Sequence, residues 1–116
     1  MTPLFLNGVG YRRPDRPVVV VCIDGGDPAY IEHGLRAGII PNIERFIAEG
    51  FNAVAEGTVP SFTCPNNMSL ITGAPPAVHG ISGNFYLDVA TGQAVVMTGP
   101  ELLRSRPIRA ECADAG

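Results

Sequence analysis

Several side chains capable of chemistry stand at points where the chain changes direction. Asp24 follows the apolar run Val18–Ile23 and precedes Gly25-Gly26. A carboxylate at the end of a buried strand, beside glycines that let a ligand approach the backbone, suits a metal ion or a metal-bound phosphate. The same three residues also suit an Asx turn, in which the carboxylate accepts hydrogen bonds from the turn that follows. Thr63 lies between a short apolar run, Phe51–Val59, and the helix-start signal Pro65-Asn66-Asn67. A hydroxyl there sits near the positive end of a helix and can serve phosphoryl transfer once a base or metal lowers its pKa. An ordinary helix cap is the competing role. Ser61 and the thiol of Cys64 are neighbouring nucleophiles, although a thiol mechanism wants a histidine base. Asn84, in Gly83-Asn84-Phe85-Tyr86, offers an amide N–H to an oxyanion or, equally, holds a turn. His79 falls in a Gly/Pro-rich loop and reads as a loop-holding residue rather than a metal ligand. His33 reads as a position on a surface helix.

The elements that must position these groups follow from periodicity. Residues 1–17 form a leader containing Pro and Arg. The continuous β-branched run 18–23 predicts a strand buried on both faces, as in a parallel sheet. Asp27 and Pro28 predict a capped helix carried by Tyr30, Ile31, Leu35 and Ile39. A second helix runs from Pro41 to Gly50, and residues 51–59 read as a short strand. The next helix is predicted from about Pro65 to Gly73, followed by a loop over 73–84. Phe85–Asp88 and Gln93–Met97 form a predicted hairpin around Ala90-Thr91-Gly92, and residues 100–115 a final helix. Alternating strands and helices predict an α/β fold. A crossover helix is normally followed by the next parallel strand, so an ending at Gly116 is expected to truncate the sheet.

Composition narrows the class. The chain has 116 residues, 46% of them apolar and 16% charged, which argues for a packed domain rather than disorder. Its net charge is −3, and all eight basic residues are Arg. That balance disfavours nucleic acid as a partner. No apolar run approaches the roughly 18 residues of a membrane span, and the N-terminus lacks the basic leader of a secretory signal. Three cysteines, widely spaced and odd in number, predict thiols in a reducing compartment, with the cytoplasm expected. The spacing says nothing of oligomeric state.

The combination of segments is more specific than any one of them. Asp24-Gly25, Pro60-Ser61-Phe62-Thr63-Cys64-Pro65-Asn66-Asn67, Thr72-Gly73-Ala74-Pro75-Pro76-Ala77-Val78-His79-Gly80-Ile81 and Gly83-Asn84-Phe85-Tyr86 occur in that order. This order resembles the N-terminal part of the alkaline phosphatase superfamily, in its nucleotide pyrophosphatase/phosphodiesterase branch. It is most similar to the phosphonoacetate hydrolases, also through Asn7-Gly8, Tyr11, Pro14 and the run 18–25.

The resemblance implies an alkaline-phosphatase-like, mostly parallel sheet flanked by helices, of which residues 1–116 are the N-terminal portion of a single catalytic domain. It implies two zinc ions (Zn2+) in the complete site, with Asp24 and Thr63 as metal ligands. Thr63 would be the nucleophile and Asn84 the residue that contacts a phosphoryl oxygen of the small-molecule substrate phosphonoacetate. The products would be acetate and phosphate. The remaining zinc ligands, Asp and His, and the Lys side chains that recognise the substrate carboxylate, would come from residues beyond this stretch. Two alternatives remain: a hydrolase of phosphodiesters or nucleotide pyrophosphates, and an inactive truncated α/β polypeptide.

Overall fold

The computed structural model describes residues 3–114. The chain divides into two compact units, one running through Val18 and resuming at Gly57, the other Val19–Glu56.

In the first unit the chain opens with two short antiparallel strands, β1 (Leu4–Leu6) and β2 (Val9–Tyr11), paired Leu4 to Tyr11 and Leu6 to Val9. The turn between them is Asn7-Gly8, with φ of 50° and 81°. Two successive residues at positive φ match the right-handed twist of a two-residue hairpin, which is why Asn-Gly favours it. Within the Pro- and Arg-containing leader expected over 1–17, residues 4–11 thus form a hairpin; Met1 and Thr2 lie outside the described residues. The Asn7 amide donates to the Thr72 carbonyl at 2.8 Å, pinning the turn to a helix far along the sequence.

The second unit holds two helices. Asp27 Oδ1 accepts from the Ala29 N–H at 2.8 Å, capping α1 (Pro28–Ala37), which ends at a left-handed Gly38. Next comes α2 (Pro41–Glu49), with Pro in its first turn. Both helices match expectation. They pack through Gly34, the buried residue of α1: a Cβ there would stand 2.8 Å from Ile40 Cδ1.

Back in the first unit, α3 (Thr63–Thr72) begins two residues before the predicted start at Pro65 and ends at Gly73 with φ 63°. A Cβ on Gly73 would collide with the Tyr11 hydroxyl, so the position is closed to side chains on two counts. The segment expected to be a loop contains a single helical turn, α4 (Pro76–His79). The predicted hairpin is present as β3 (Phe85–Asp88) and β4 (Gln93–Val96), antiparallel with Phe85 opposite Val96. The last helix is shorter than expected, α5 (Ile108–Asp114), and starts after Pro107. Pro107 has no N–H to continue a helix from residues 100–106, so a helix can only begin there. Ala115 lies outside the described residues. Arg106 lies before the helix and closes onto it, through Glu111 at 2.9 Å and through Asp114.

The core of this unit is small and partly polar. Leu6, Pro65, Thr72, Ala74, His79, Ile81 and Ser105 are its buried members, and α5 packs on β1 and α3.

The fold is α/β with two small antiparallel sheets; the mostly parallel sheet is not formed among the described residues. Residues 18–23 and 51–59 carry no ladder. Val20 is 85% exposed and Phe51 90%. A parallel strand that is apolar on both faces is stable only between neighbouring strands and beneath covering helices. These runs have neither within the described residues.

Candidate functional site

Local geometry places each expected site residue. Asp24 is exposed and belongs to the second unit, in a turn where the Gly26 N–H donates to the Ile23 carbonyl at 3.1 Å. Gly25 takes φ 69° there, a conformation that excludes most side chains. A Cβ on Gly26 would lie 2.9 Å from the Ile23 oxygen, so both glycines are required by the turn itself.

Thr63 is the first residue of α3 and is exposed. The capping position belongs to Phe62, whose side chain makes no cap hydrogen bond. Thr63 is therefore not the ordinary cap that its residue type suggests. Its hydroxyl sits in the first turn, where the helix dipole is positive and anions are favoured. Pro65, two residues on, costs the helix no hydrogen bond, because first-turn N–H groups have no partner within the helix.

Asn84 is brought to the same turn. Its Oδ1 accepts from the Cys64 N–H at 2.9 Å, while its own carbonyl accepts from the Met97 N–H at 2.8 Å. Since the backbone N–H can only donate, Oδ1 faces the helix and the amide NH2 is turned away from it. The structure thus gathers Thr63 and Asn84 at one helix end, with the asparagine presenting donors.

The competing nucleophiles are placed differently. The Cys64 thiol lies 3.9 Å from the Met97 carbonyl and is directed at main chain. Ser61 lies in the exposed segment before the helix, where Thr58 Oγ1 donates to the Pro60 carbonyl at 3.1 Å. His33 is exposed on α1.

His79 is fully buried, with 0% exposure. Its Nδ1 accepts from the Ile81 N–H at 3.1 Å, and its Nε2 lies 3.0 Å from Ser69 Oγ on α3. An acceptor at Nδ1 puts the proton of the neutral ring on Nε2, which donates to Ser69. Burial pushes its pKa below the usual 6.5, against a smaller upward pull from the Pro65 carbonyl. With one nitrogen accepting and the other donating, the ring ties its own loop to α3.

In the sequence Asn66 reads only as part of a helix start, and the structure gives it a further task. Its Oδ1 accepts from the Thr58 N–H at 3.2 Å, and a Cβ on Gly57 would stand 3.2 Å from the same oxygen. This folds segment 57–62 onto α3 ahead of Thr63. The signal was the Asn-Asn pair directly after Pro65, in a helix's first turn, where asparagine reaches back to main chain.

A zinc site takes three or four protein ligands. Among the described residues no group of three or more His, Cys, Asp or Glu is gathered to hold a metal. Asp24, in the second unit, offers a carboxylate, and Thr63, in the first, a hydroxyl; each is an oxygen donor of the kind a metal ion takes. Among the described residues, too, no helix is long and apolar enough to cross a membrane.

Comparison with known proteins defines the class. Residues 18–116 match the model of the type I phosphodiesterase/nucleotide pyrophosphatase family, and the chain belongs to that family. The chain is also similar to solved structures of phosphonoacetate hydrolase from Sinorhizobium meliloti, one with phosphonoformate and one with phosphonoacetate. Both align with a TM-score of 0.91 over 99% of this chain, at 42% and 41% identity. It is also 32% identical, over 72% of its length, to an uncharacterized pyrophosphatase/phosphodiesterase of Schizosaccharomyces pombe. The chain spans 28% of the solved hydrolase and 17% of the yeast relative.

Proposed function

We propose that residues 1–116 are the N-terminal portion of a single alkaline-phosphatase-like catalytic domain that hydrolyses the carbon–phosphorus bond of phosphonoacetate. In this reading the Thr63 hydroxyl loses its proton and attacks phosphorus. The P–C bond breaks, and its electron pair leaves with the acetate carbon, stabilised as the enolate by the adjoining carboxylate. Protonation of that carbon gives acetate. Water then cleaves the phosphothreonine, releasing phosphate and restoring Thr63. The Asn84 amide holds a phosphoryl oxygen as its charge grows, a task in which one well-placed donor is commonly worth about 10²–10³ in rate.

Zinc is the proposed cofactor, two ions in the complete site, with Asp24 and Thr63 supplying part of one shell. When bound, it would lower the pKa of a ligating hydroxyl and neutralise phosphoryl charge. The odd cysteine count fits a reducing cytoplasm, where we place the enzyme.

The observation that carries the reading is the 2.9 Å bond from the Cys64 N–H to Asn84 Oδ1, which sets an amide donor beside a threonine at the head of a helix. The test is turnover of phosphonoacetate by the intact enzyme and three variants. Thr63→Ala should lower kcat by several orders of magnitude, on the scale of about 10⁶ for removing a hydrolase nucleophile. Thr63→Ser should keep part of the activity, and Cys64→Ala should be nearly silent. Loss with Cys64→Ala and survival of Thr63→Ala would assign the chemistry to the thiol instead. The family match supports a second reading, hydrolysis of a nucleotide pyrophosphate or phosphodiester. Turnover of such a substrate in place of phosphonoacetate would establish it.

A further inference from the structure

The buried histidine does more than fill the core. Segment 79–84 runs back along α3, from the middle of the helix to its first turn. At one end His79 meets Ser69; at the other Asn84 meets Cys64. Four residues lie between the contacts on each side, 65–68 on α3 and 80–83 on the segment, and Ile81 among the latter is 2% exposed. Main-chain bonds fasten both ends: the His79 carbonyl accepts from the Arg104 N–H at 2.9 Å and the Asn84 carbonyl from the Met97 N–H at 2.8 Å. Gly80, at φ 86°, makes the bend after His79, and a Cβ on it would come within 2.7 Å of Arg104 Nε. The link from the ring to the segment is Nδ1, which takes the Ile81 N–H.

We propose that His79 is the positioning residue for Asn84: by accepting the Ile81 N–H while holding Ser69, it sets the path that delivers the asparagine amide to the head of α3. The inference deepens the phosphoryl-transfer reading and rests on it only for the kinetic consequence. The two ring nitrogens have separable tasks. Nε2 holds the ring to the helix, and Nδ1 holds the segment to the ring.

Amide side chains separate them. In His79→Asn the Oδ1 can replace Nδ1 as acceptor for Ile81 but cannot reach Ser69. In His79→Gln the amide reaches Ser69 and leaves the Ile81 N–H without an acceptor. The first measurement is amide hydrogen exchange in the intact protein, reading Cys64 for the Asn84 bond, Ile81 for the ring bond, and Leu70 and Ile71 for the helix itself. His79→Gln should lower protection at both Ile81 and Cys64 by about five- to tenfold, the worth of one hydrogen bond. His79→Asn should keep Cys64 protected, and Leu70 and Ile71 should hold in both variants. Protection at Cys64 that survives in His79→Gln overturns the proposal. So does an equal fall at all four amides in both variants, which is loss of packing alone. Failure of either variant to fold leaves Ser69→Ala, in which the Ile81 bond remains and Cys64 should stay protected; exposure of Cys64 there contradicts the assignment to Nδ1.

The second measurement is a double-mutant cycle on kcat. His79→Gln should lower kcat with little change in KM, and should lower it no further in the background of Asn84→Ala. Additive losses overturn the positioning role. Full turnover by Asn84→Ala and Thr63→Ala would instead sink the phosphoryl-transfer reading, leaving the exchange result to stand on its own.

Discussion

Segment 57–84 and the apolar runs at 18–23 and 51–56 solve the problem of order in opposite ways. Around α3, single polar side chains bond to main chain: His79 to Ile81 two residues away, Asn66 to Thr58 eight away, and Asn84 to Cys64 20 away. These bonds need few partners, and His79 and Thr72 are buried beneath them at 0% exposure. The β-branched runs have no such local devices. Their order depends on ladders and covering layers supplied by other segments, and Val19, Val20 and Val21 stand exposed. Polar pins specify a site locally; apolar strands specify it only collectively.

The comparison breaks most readily at His79. His79→Ala removes the acceptor for a buried N–H and the partner of Ser69, and leaves a cavity. A loss of about 2–4 kcal/mol is expected, read as a shift of the urea midpoint at unchanged slope. Val20→Ala in the same chain should cost less than about 0.5 kcal/mol, as for an exposed site. Equal costs would mean that Val20 is buried in solution and that the two regions do not differ.

Glycine positions sharpen the contrast next. Gly73→Ala meets both the left-handed backbone, worth about 1–2 kcal/mol, and the Tyr11 hydroxyl. Gly92, at φ 69° with nothing within 4 Å, meets only the first. Thermal melts should rank Gly73→Ala below Gly92→Ala, and Tyr11→Ala should narrow the gap. An equal ranking would show that the β1–β2 hairpin does not press on α3.

Acid should act first on the pinned region, at His79, and then outside it, at Asp88. The folded pKa of His79 lies below 6.5, so the unfolded chain binds the proton more readily. Stability is full above about 6.5 and falls as pH drops toward the folded value, at up to about 1.4 kcal/mol per pH unit. A protonated Nδ1 would also face the Ile81 N–H donor to donor, and the Arg104 side chain lies against the adjoining Gly80. His79→Asn should abolish this slope in melts taken between pH 7 and 5. The smallest effect is at Asp88, whose pKa is held below 3.8 by the Thr91 hydroxyl and then by the Ala90 N–H. Its contribution to the β3–β4 turn is present above 3.8 and lost as pH falls through the folded value. Amide exchange at Ala90 should report that loss, and Asp88→Asn should remove its pH dependence.

What the sequence discloses follows the same division. Asp27-Pro28 announces α1, and the residues around Ala90-Thr91-Gly92 announce the β3–β4 hairpin, because the cap and the turn are each complete within a few residues. Asn7-Gly8 carried an equally local signal, obscured by the short strands and the Pro- and Arg-containing stretch that follows. Pro65 marks the first turn of α3 and not its first residue, because the first turn has room for two residues before the proline. The apolar spacing over 100–115 suggests one helix, and Pro107 confines it to Ile108–Asp114 among the described residues. The parallel sheet was read from residues 18–23 and 51–59, whose pattern states what they need and not where it comes from. Thr63 and Asn84 were individually ambiguous, since both residue types cap and turn; their nearness across 20 residues of chain is a tertiary fact. Ser69 carries no signal of its partner, and the Asn-Asn pair after Pro65 signals a reach back to main chain without specifying Thr58.

In the proposed reaction Thr63, held at the head of α3 beside Asn84, takes up the phosphoryl group. Acid quenching of the intact enzyme during turnover of phosphonoacetate, followed by peptide mass spectrometry, tests it directly. The account predicts one phosphoryl group on Thr63, absent in Thr63→Ala and accumulating when water attack is slowed. A phosphoryl group on Ser61 or Cys64, or turnover of the same substrate with no covalent phosphoprotein at any quench time, would contradict it.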